Sequence, residues 1–306
     1  MQSNPDDERT RIEGTVRLDD WGLIRASGPD ARTFLHGQLT QDMLHLEPGQ
    51  ARLAGYCSAK GRLQASFVVW RDGADDLLLA CSADLLAATL KRLSMFVLRA
   101  KCKLVDASAD LPLWGSAGPA QPGSTPVWSV QTIDGGHRVR LPHAEADGQS
   151  VERQLVVGAA PAGAAELAAE TWRWLEARSG VVRIVAATVE QFVPQMVNLE
   201  LVGGVDFQKG CYPGQEVVAR SQYRGTLKRR ARVFECEQPL QPGMEVFHSA
   251  DSEQPAGMVV LAGCLGARCA ALVEVKIAAL AEGRLQAGGH ALTLAALPYA
   301  IPTEAT

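Results

Sequence analysis

The sequence predicts an α+β chain of several domains that ends in a small all-β barrel, and three observations predict it. At 306 residues the chain is too long for one small core, so two or three domains are expected. Stretches of helix and strand character alternate over roughly the first three quarters of the chain. After that come short strands separated by Pro-Gly and Gly-Gly turns over about 75 residues, the texture of a small barrel. These shifts divide the chain into an N-terminal α+β domain over 1–110, a central α+β domain over 111–230 and a C-terminal barrel over 231–306, each free to be discontinuous.

The elements follow in order. Residues 1–11 are polar and read as a frayed segment. Thr15–Ala26 reads as a strand pair turning at Asp19-Asp20. Asp30 is placed to cap a helix through about Leu46, with Phe34, Leu35, Leu39, Met43 and Leu44 on its apolar side. Arg62–Trp70 and Asp76–Cys81 read as paired strands around Asp72-Gly73. Asp84 opens a second helix with Leu86, Leu90, Leu93 and Val97 on one stripe, and Lys103–Asp106 is a strand. Such an alternation suits a ferredoxin-like layer. Leu111–Pro126 is rich in Pro and Gly and reads as a linker or long loop. Short strands at Val127–Thr132, Arg138–Leu141 and Arg153–Val157 lead to a helix over about Ala164–Arg178. The barrel strands are Ala231–Cys236, Met244–His248, Met258–Ala262, Ala270–Ile277 and Ala291–Ala295.

Composition narrows the function. With 47% hydrophobic and 21% charged residues the chain is ordinary globular protein, which excludes disorder and coiled coil. A net charge of −4 and only 6% aromatics argue against a protein that coats nucleic acid. The seven cysteines form no Cys-x-x-Cys pair, and no secretory signal precedes Arg9–Arg11. A disulfide framework is therefore not expected, and a reducing cytoplasm is. The longest uncharged run, Leu111–Ile133, holds Pro112, Pro119, Pro122 and Pro126 and cannot be a membrane helix. Phosphate-loop, dinucleotide, zinc-protease and hydrolase-elbow motifs are absent from the sequence. No metal site is read from it.

The informative stretch is Lys209-Gly210-Cys211-Tyr212-Pro213-Gly214-Gln215-Glu216, followed by Val217-Val218-Ala219-Arg220. It places Cys211 in a tight turn that opens onto a short helix from Gln215. A thiol near a helix N-terminus and a lysine is the setting that favours a thiolate. The alternative is a small buried hydrophobe, the common fate of a free cysteine and the reading preferred for the other six, Cys264 and Cys269 among them. Downstream, Arg220, Arg224, Lys228, Arg229, Arg230 and Arg232 fall together with no acid among them. That cluster either holds an anion (phosphate, a polyglutamate tail or RNA) or is a solvated turn between domains.

These residues resemble a known family. Phe192-Val193-Pro194-Gln195-Met196-Val197-Asn198-Leu199-Glu200, Gly203-Gly204-Val205-Asp206-Phe207, the Lys209–Arg220 stretch, Arg224-Gly225 and Lys228-Arg229 are similar to the signature of the YgfZ family, relatives of the glycine-cleavage T-protein, an aminomethyltransferase. Gly28-x-Asp30-Ala31-x-x-Phe34-Leu35-x-Gly37-Gln38-Leu39-Thr40-x-Asp42 and Lys60-Gly61-Arg62 fit the same pattern. The resemblance implies a T-protein-like fold of three domains around a channel for a tetrahydrofolate derivative. It implies a role in maintaining iron–sulfur enzymes, including the radical enzymes that modify tRNA. It makes Cys211 the reactive residue with Lys209 beside it, and Gly210, Tyr212, Gly214, Gln215, Glu216 and Arg220 the loop that orders it or touches the ligand. Phe192, Gln195, Asn198, Arg224 and Lys228 are nominated as folate contacts. The partners implied are iron–sulfur client enzymes, folate and a weak tRNA contact, with an iron–sulfur cluster held transiently if at all and no membrane.

Two departures matter. Where T-protein carries an acid that assists folate chemistry, this chain has Gln64 and Ala65, neither of which transfers a proton at neutral pH. Aminomethyl transfer is therefore not expected. Where T-protein grips the pterin with a glutamate at a helix end, a gap-free count puts Arg178, and Glu176 serves only with a shifted register. The rival readings are a tetrahydrofolate-dependent one-carbon transferase and a tRNA-binding module presenting Arg220–Arg232, the latter with affinity that falls steeply with salt.

Overall fold

A computed structural model describes residues 11–120, 123–224 and 227–302. Nearly all of the frayed segment expected at 1–11, and Gly225 of the signature, lie outside the described residues.

The first elements are β1 (Gly14–Arg17), β2 (Trp21–Ser27), α1 (Ala31–His36), β3 (Ala51–Cys57), β4 (Leu63–Asp72), β5 (Asp76–Ser82), α2 (Ala83–Phe96) and β6 (Lys103–Asp106). Five of the strands make an antiparallel sheet in the order β3-β4-β5-β2-β6. Along β5 the period-2 alternation sends Leu77, Leu79 and Cys81 to the core under α1 and α2, and Leu78 and Ala80 to the opposite core. A sheet buried on both faces needs a second layer, and the next strands supply it.

The expected strand pair over Thr15–Ala26 does not form. β1 pairs with β7 (Leu113–Pro119) in the second sheet, whereas β2 lies between β5 and β6 in the first. The span 1–110 thus contributes to both sheets. The helix expected to run to Leu46 stops at His36. Beyond it Thr40 turns its hydroxyl to the backbone, donating to the Gly204 carbonyl at 2.6 Å and accepting from the Gly55 amide at 2.7 Å. Such side-chain bonds compete with helix continuation.

The second sheet takes β8 (Val130–Ile133), β9 (Gly136–Ala146) and β10 (Gln149–Val157), in the order β1-β7-β10-β9-β8. Part of the expected linker over Leu111–Pro126 is therefore β7, a strand inside a sheet. Its small residues are a packing requirement: a Cβ on Gly115 would lie 2.6 Å from the Trp172 ring. Trp172 belongs to α3 (Ala169–Arg178), which starts later than expected because the Ala165 carbonyl and Leu167 amide bond Thr15 of β1. The last helix, α4 (Gln215–Tyr223), begins at the residue expected.

The barrel is closed by β11 (Arg229–Cys236), β12 (Glu245–His248), β13 (Asp251–Leu265), β14 (Arg268–Lys276), β15 (Leu285–Ala287) and β16 (His290–Ala295), in the order β11-β14-β13-β12-β15-β16. Of these, only β15 has no counterpart among the expected strands. The cysteine reading needs correction here. Cys264 and Cys269 are not separate core thiols but a disulfide, because the β13–β14 hairpin sets them directly opposite with Cα atoms 4.0 Å apart. Cys236 of β11 is in register with Cys269 on its other side and is free. No helix among the described residues is long and apolar enough to cross a membrane.

Candidate functional site

The Cys211 turn is assembled from its neighbours outward. Asp206 Oδ1 accepts the backbone amides of Gln208 at 2.8 Å and Lys209 at 3.2 Å, an Asx-type turn that starts the loop. The Asp206 amide itself bonds the Thr40 carbonyl at 2.9 Å. Tyr212 is buried among Cys57, Leu63, Phe192 and Val218, so the residue after Cys211 anchors the turn while Cys211 stays exposed. Gly214, at φ 78°, then reverses the chain into α4, where the Gln215 amide bonds the Tyr212 carbonyl and the Val217 and Val218 amides bond the Gly214 carbonyl.

Lys209 is placed differently from the thiolate partner that the sequence brings to mind. Its Nζ donates to the carbonyls of His36 and Leu39, at 2.9 Å for the latter, and lies 4.8 Å from the centre of the Tyr212 ring. The ammonium thereby caps the end of α1. Burial is the main reason that its pKa falls to about 8, while Asp42, Asp206 and Cys211 pull the other way.

An unforeseen histidine sits behind the turn. His36 Nδ1 donates to Asp42 at 2.9 Å, and a Cβ on Gly210 would lie 3.5 Å from His36 Nε2. Burial and the Lys209 charge lower the His36 pKa. Asp42 also accepts His45 Nδ1 at 2.6 Å and the Leu44 amide at 2.8 Å. Burial raises its pKa, but these hydrogen bonds outweigh it and hold the carboxyl well below the ordinary range. The signature includes Asp42; a histidine six residues before it was the available sign of this pair.

The free cysteines separate cleanly. Burial pushes the Cys57 and Cys81 thiols up to about 12 and Cys102 to about 11, and raises that of Cys236. Cys211 is the exposed free thiol of the described residues. On a fixed turn ahead of a helix, such a sulfur can attack an electrophile, exchange with a disulfide or ligate a metal.

The other nominated residues do not converge. Phe192, Gln195 and Asn198 are buried. Gln195 Nε2 donates to the Val218 carbonyl at 2.8 Å, and Asn198 Nδ2 donates to the Ala231 carbonyl at 2.9 Å and Tyr299 Oη at 3.1 Å. Glu216, Arg220 and Arg224 are exposed beside Tyr223 around an open depression on α4, and Lys228 is exposed on another cleft with Arg232 and Lys276. Two of the basic cluster are spent internally: Arg229 pairs with Glu274 at 2.7 Å, and Arg230 with Glu200. Gln64 donates to Glu190 Oε1 at 2.9 Å, and Ala65 is buried.

The pterin grip can be tested on the residues themselves. Arg178, at the gap-free position, stacks on Trp174 and bonds the Glu145 carbonyl and Glu235. Glu176 does line a small cavity, with Trp21, Phe67, Leu141, Arg153 and Arg183, but only about 30 Å³ of it is free. Both of its carboxylate oxygens accept Arg183, each at 2.9 Å. As arranged, these residues do not fit a pterin.

The two sheets, the helices and the closed barrel make up the fold of a glycine-cleavage aminomethyltransferase. The chain superimposes on the glycine cleavage system aminomethyltransferase T from Bartonella henselae with a TM-score of 0.72 at 16% identity, covering 96% of this chain and 88% of that one. In sequence it is 36% identical over 241 residues to the tRNA-modifying protein YgfZ of Edwardsiella ictaluri, spanning 70% of this chain and 68% of that one. It is 28% identical over 318 residues to the protein of that name from Cronobacter sakazakii, spanning 94% and 93%. The chain belongs to the YgfZ family. No family model matches it.

Proposed function

We propose that this chain is an accessory factor for the assembly or repair of iron–sulfur enzymes, those that modify tRNA among them, and that Cys211 carries its chemistry. The observation behind this reading is the contrast between one exposed thiol on a braced turn and four free thiols that burial makes poor nucleophiles. The relatives' name, tRNA-modifying protein, supports the connection to tRNA. Nucleophile, redox group and transient cluster ligand all require an accessible sulfur, and Cys211 offers it. Lys209, Tyr212, Gly214 and Asp206 position the turn, and Arg220 and Arg224 offer exposed cations for a weak tRNA contact. No folate step is assigned to these residues.

The test is complementation. In cells lacking this protein, the activity of an iron–sulfur tRNA-thiomethylating enzyme is measured after supplying wild type or Cys211→Ala at matched abundance. Rescue by wild type alone is expected. Equal rescue by both assigns Cys211 a structural role in its turn and overturns the reading.

A further inference from the structure

Arg183 and Glu176 make a closed arrangement at the junction of the first sheet and α3. Arg183 Nε and Nη2 donate to the two oxygens of Glu176, each at 2.9 Å, in the fork geometry of the strongest ion pairs. Nη1 donates to the Asp20 carbonyl at 3.2 Å and Ser82 Oγ at 3.0 Å, and Nη2 also reaches Asp20 Oδ2 at 3.1 Å. The guanidinium lies 4.9 Å from the Trp21 ring centre. Burial opposes its charge, but Glu176 and Asp20 outweigh burial and keep it protonated. Deeper in, Arg153 stacks on Trp172 at 5.6 Å and donates to the Pro142 carbonyl at 3.1 Å.

The amino-pyrimidinone edge of a pterin presents two N–H donors on one N–C–N unit and a flat face. A carboxylate and an aromatic ring are its natural complements. Arg183 presents the same planar donor pair to Glu176 and the same flat face to Trp21. We propose that Arg183 is the built-in occupant of this cavity, standing where a pterin ring would stand, so that the chain does not take a tetrahydrofolate between Trp21 and Glu176. The free space of about 30 Å³ admits water, whereas ligand pockets run to about 300–1,000 Å³. The cleft of about 540 Å³ outside it, which Arg183 and Glu176 also line, is a separate space in which Asp20 already pairs with Arg173 and Arg183 and Asp84 accepts the Ala186 amide at 2.9 Å. Different residues from those of the Cys211 turn carry this inference, and it stands or falls without them.

The experiment titrates 5-formyltetrahydrofolate into the full chain, followed by tryptophan fluorescence and calorimetry, for wild type, Arg183→Ala and Arg183→Lys. Melting curves report which variants are folded; Arg183→Lys keeps a charge against Glu176 but loses the planar fork. Expected is no saturation in the wild type and affinity raised at least about tenfold in Arg183→Ala, with Arg183→Lys between them. Saturable wild-type binding that the variants leave unchanged or weaken overturns the proposal. So does an absence of binding in a folded variant, since Arg183 is then not what excludes the ligand.

Discussion

Gly61 and Gly214 meet backbone to backbone. Both hold positive φ, 70° and 78°, and a Cβ on Gly214 would lie 2.7 Å from Gly61 N and Cα and 2.4 Å from the Ser58 carbonyl oxygen. A Cβ on Gly61 would in turn lie 2.7 Å from Val217 Cβ on α4. The turn after β3 and the turn carrying Cys211 therefore fix one another. Left-handed strain of about 1–3 kcal/mol adds to the clash, so Gly214→Ala should lower the melting temperature and abolish rescue although Cys211 is intact. An unchanged melting temperature refutes this, and a double cycle with Gly61→Ala reads the coupling directly.

Thiol labelling should rank the cysteines. Under native conditions iodoacetamide is expected to modify Cys211 first, Cys102 slowly, and Cys57 and Cys81 only on unfolding. Peptide mass spectrometry over a time course checks the order, and early modification of Cys57 or Cys81 contradicts it.

The Arg230–Glu200 pair should be a stability determinant. The two side chains are 9% and 4% exposed, and Arg230 also donates to the Gln195 carbonyl at 3.0 Å. Removing one partner of a buried pair costs about 3–5 kcal/mol. Urea denaturation of Arg230→Ala should show a loss of that order, whereas a change below about 1 kcal/mol would place the pair with surface bridges.

Lys209 sets a pH dependence with a definite sign. Its pKa is about 8 in the folded chain against 10.5 for the free group, so between these values the unfolded chain holds the extra proton. Stability contributed by this group rises with pH across that window and is flat below it. The stability of wild type minus that of Lys209→Met should therefore climb from pH 8 upward. Tyr56 and Tyr212, whose pKa values burial raises, act oppositely above pH 10, so the comparison is read between pH 8 and 10. A flat difference curve counts against the burial of Lys209.

Local signals were legible and long-range ones were not. The hairpin at Asp72-Gly73, the start of α4 and five barrel strands follow from turn residues and alternation close in sequence. β7 read as a linker because Gly115 is a glycine for the sake of Trp172, more than fifty residues later. α1 read as too long because the competitor for Thr40 is Gly204. At the site, the Cys211 turn is written in consecutive residues, which is why it could be found. The Lys209 ammonium caps α1, and the basic cluster loses Arg229 and Arg230 to Glu274 and Glu200, for reasons that no local pattern contains. Glu176 with Arg183 is the clearest case: each is ordinary alone, and the contacts of Arg183 with Asp20, Trp21 and Ser82 come from residues about a hundred or more positions earlier.

The Asn198–Tyr299 bond has a bearing on biosynthesis. Asn198 holds a left-handed backbone at φ 58°, and its amide is tied to a tyrosine 101 residues downstream, whose hydroxyl also bonds the Gly180 carbonyl at 2.7 Å. A ribosome that has released the Cys211 turn has not yet made this fastener. Until the chain through Tyr299 emerges, the signature segment lacks its last hydrogen bonds, so the segment that leads into the Cys211 turn is completed late in synthesis.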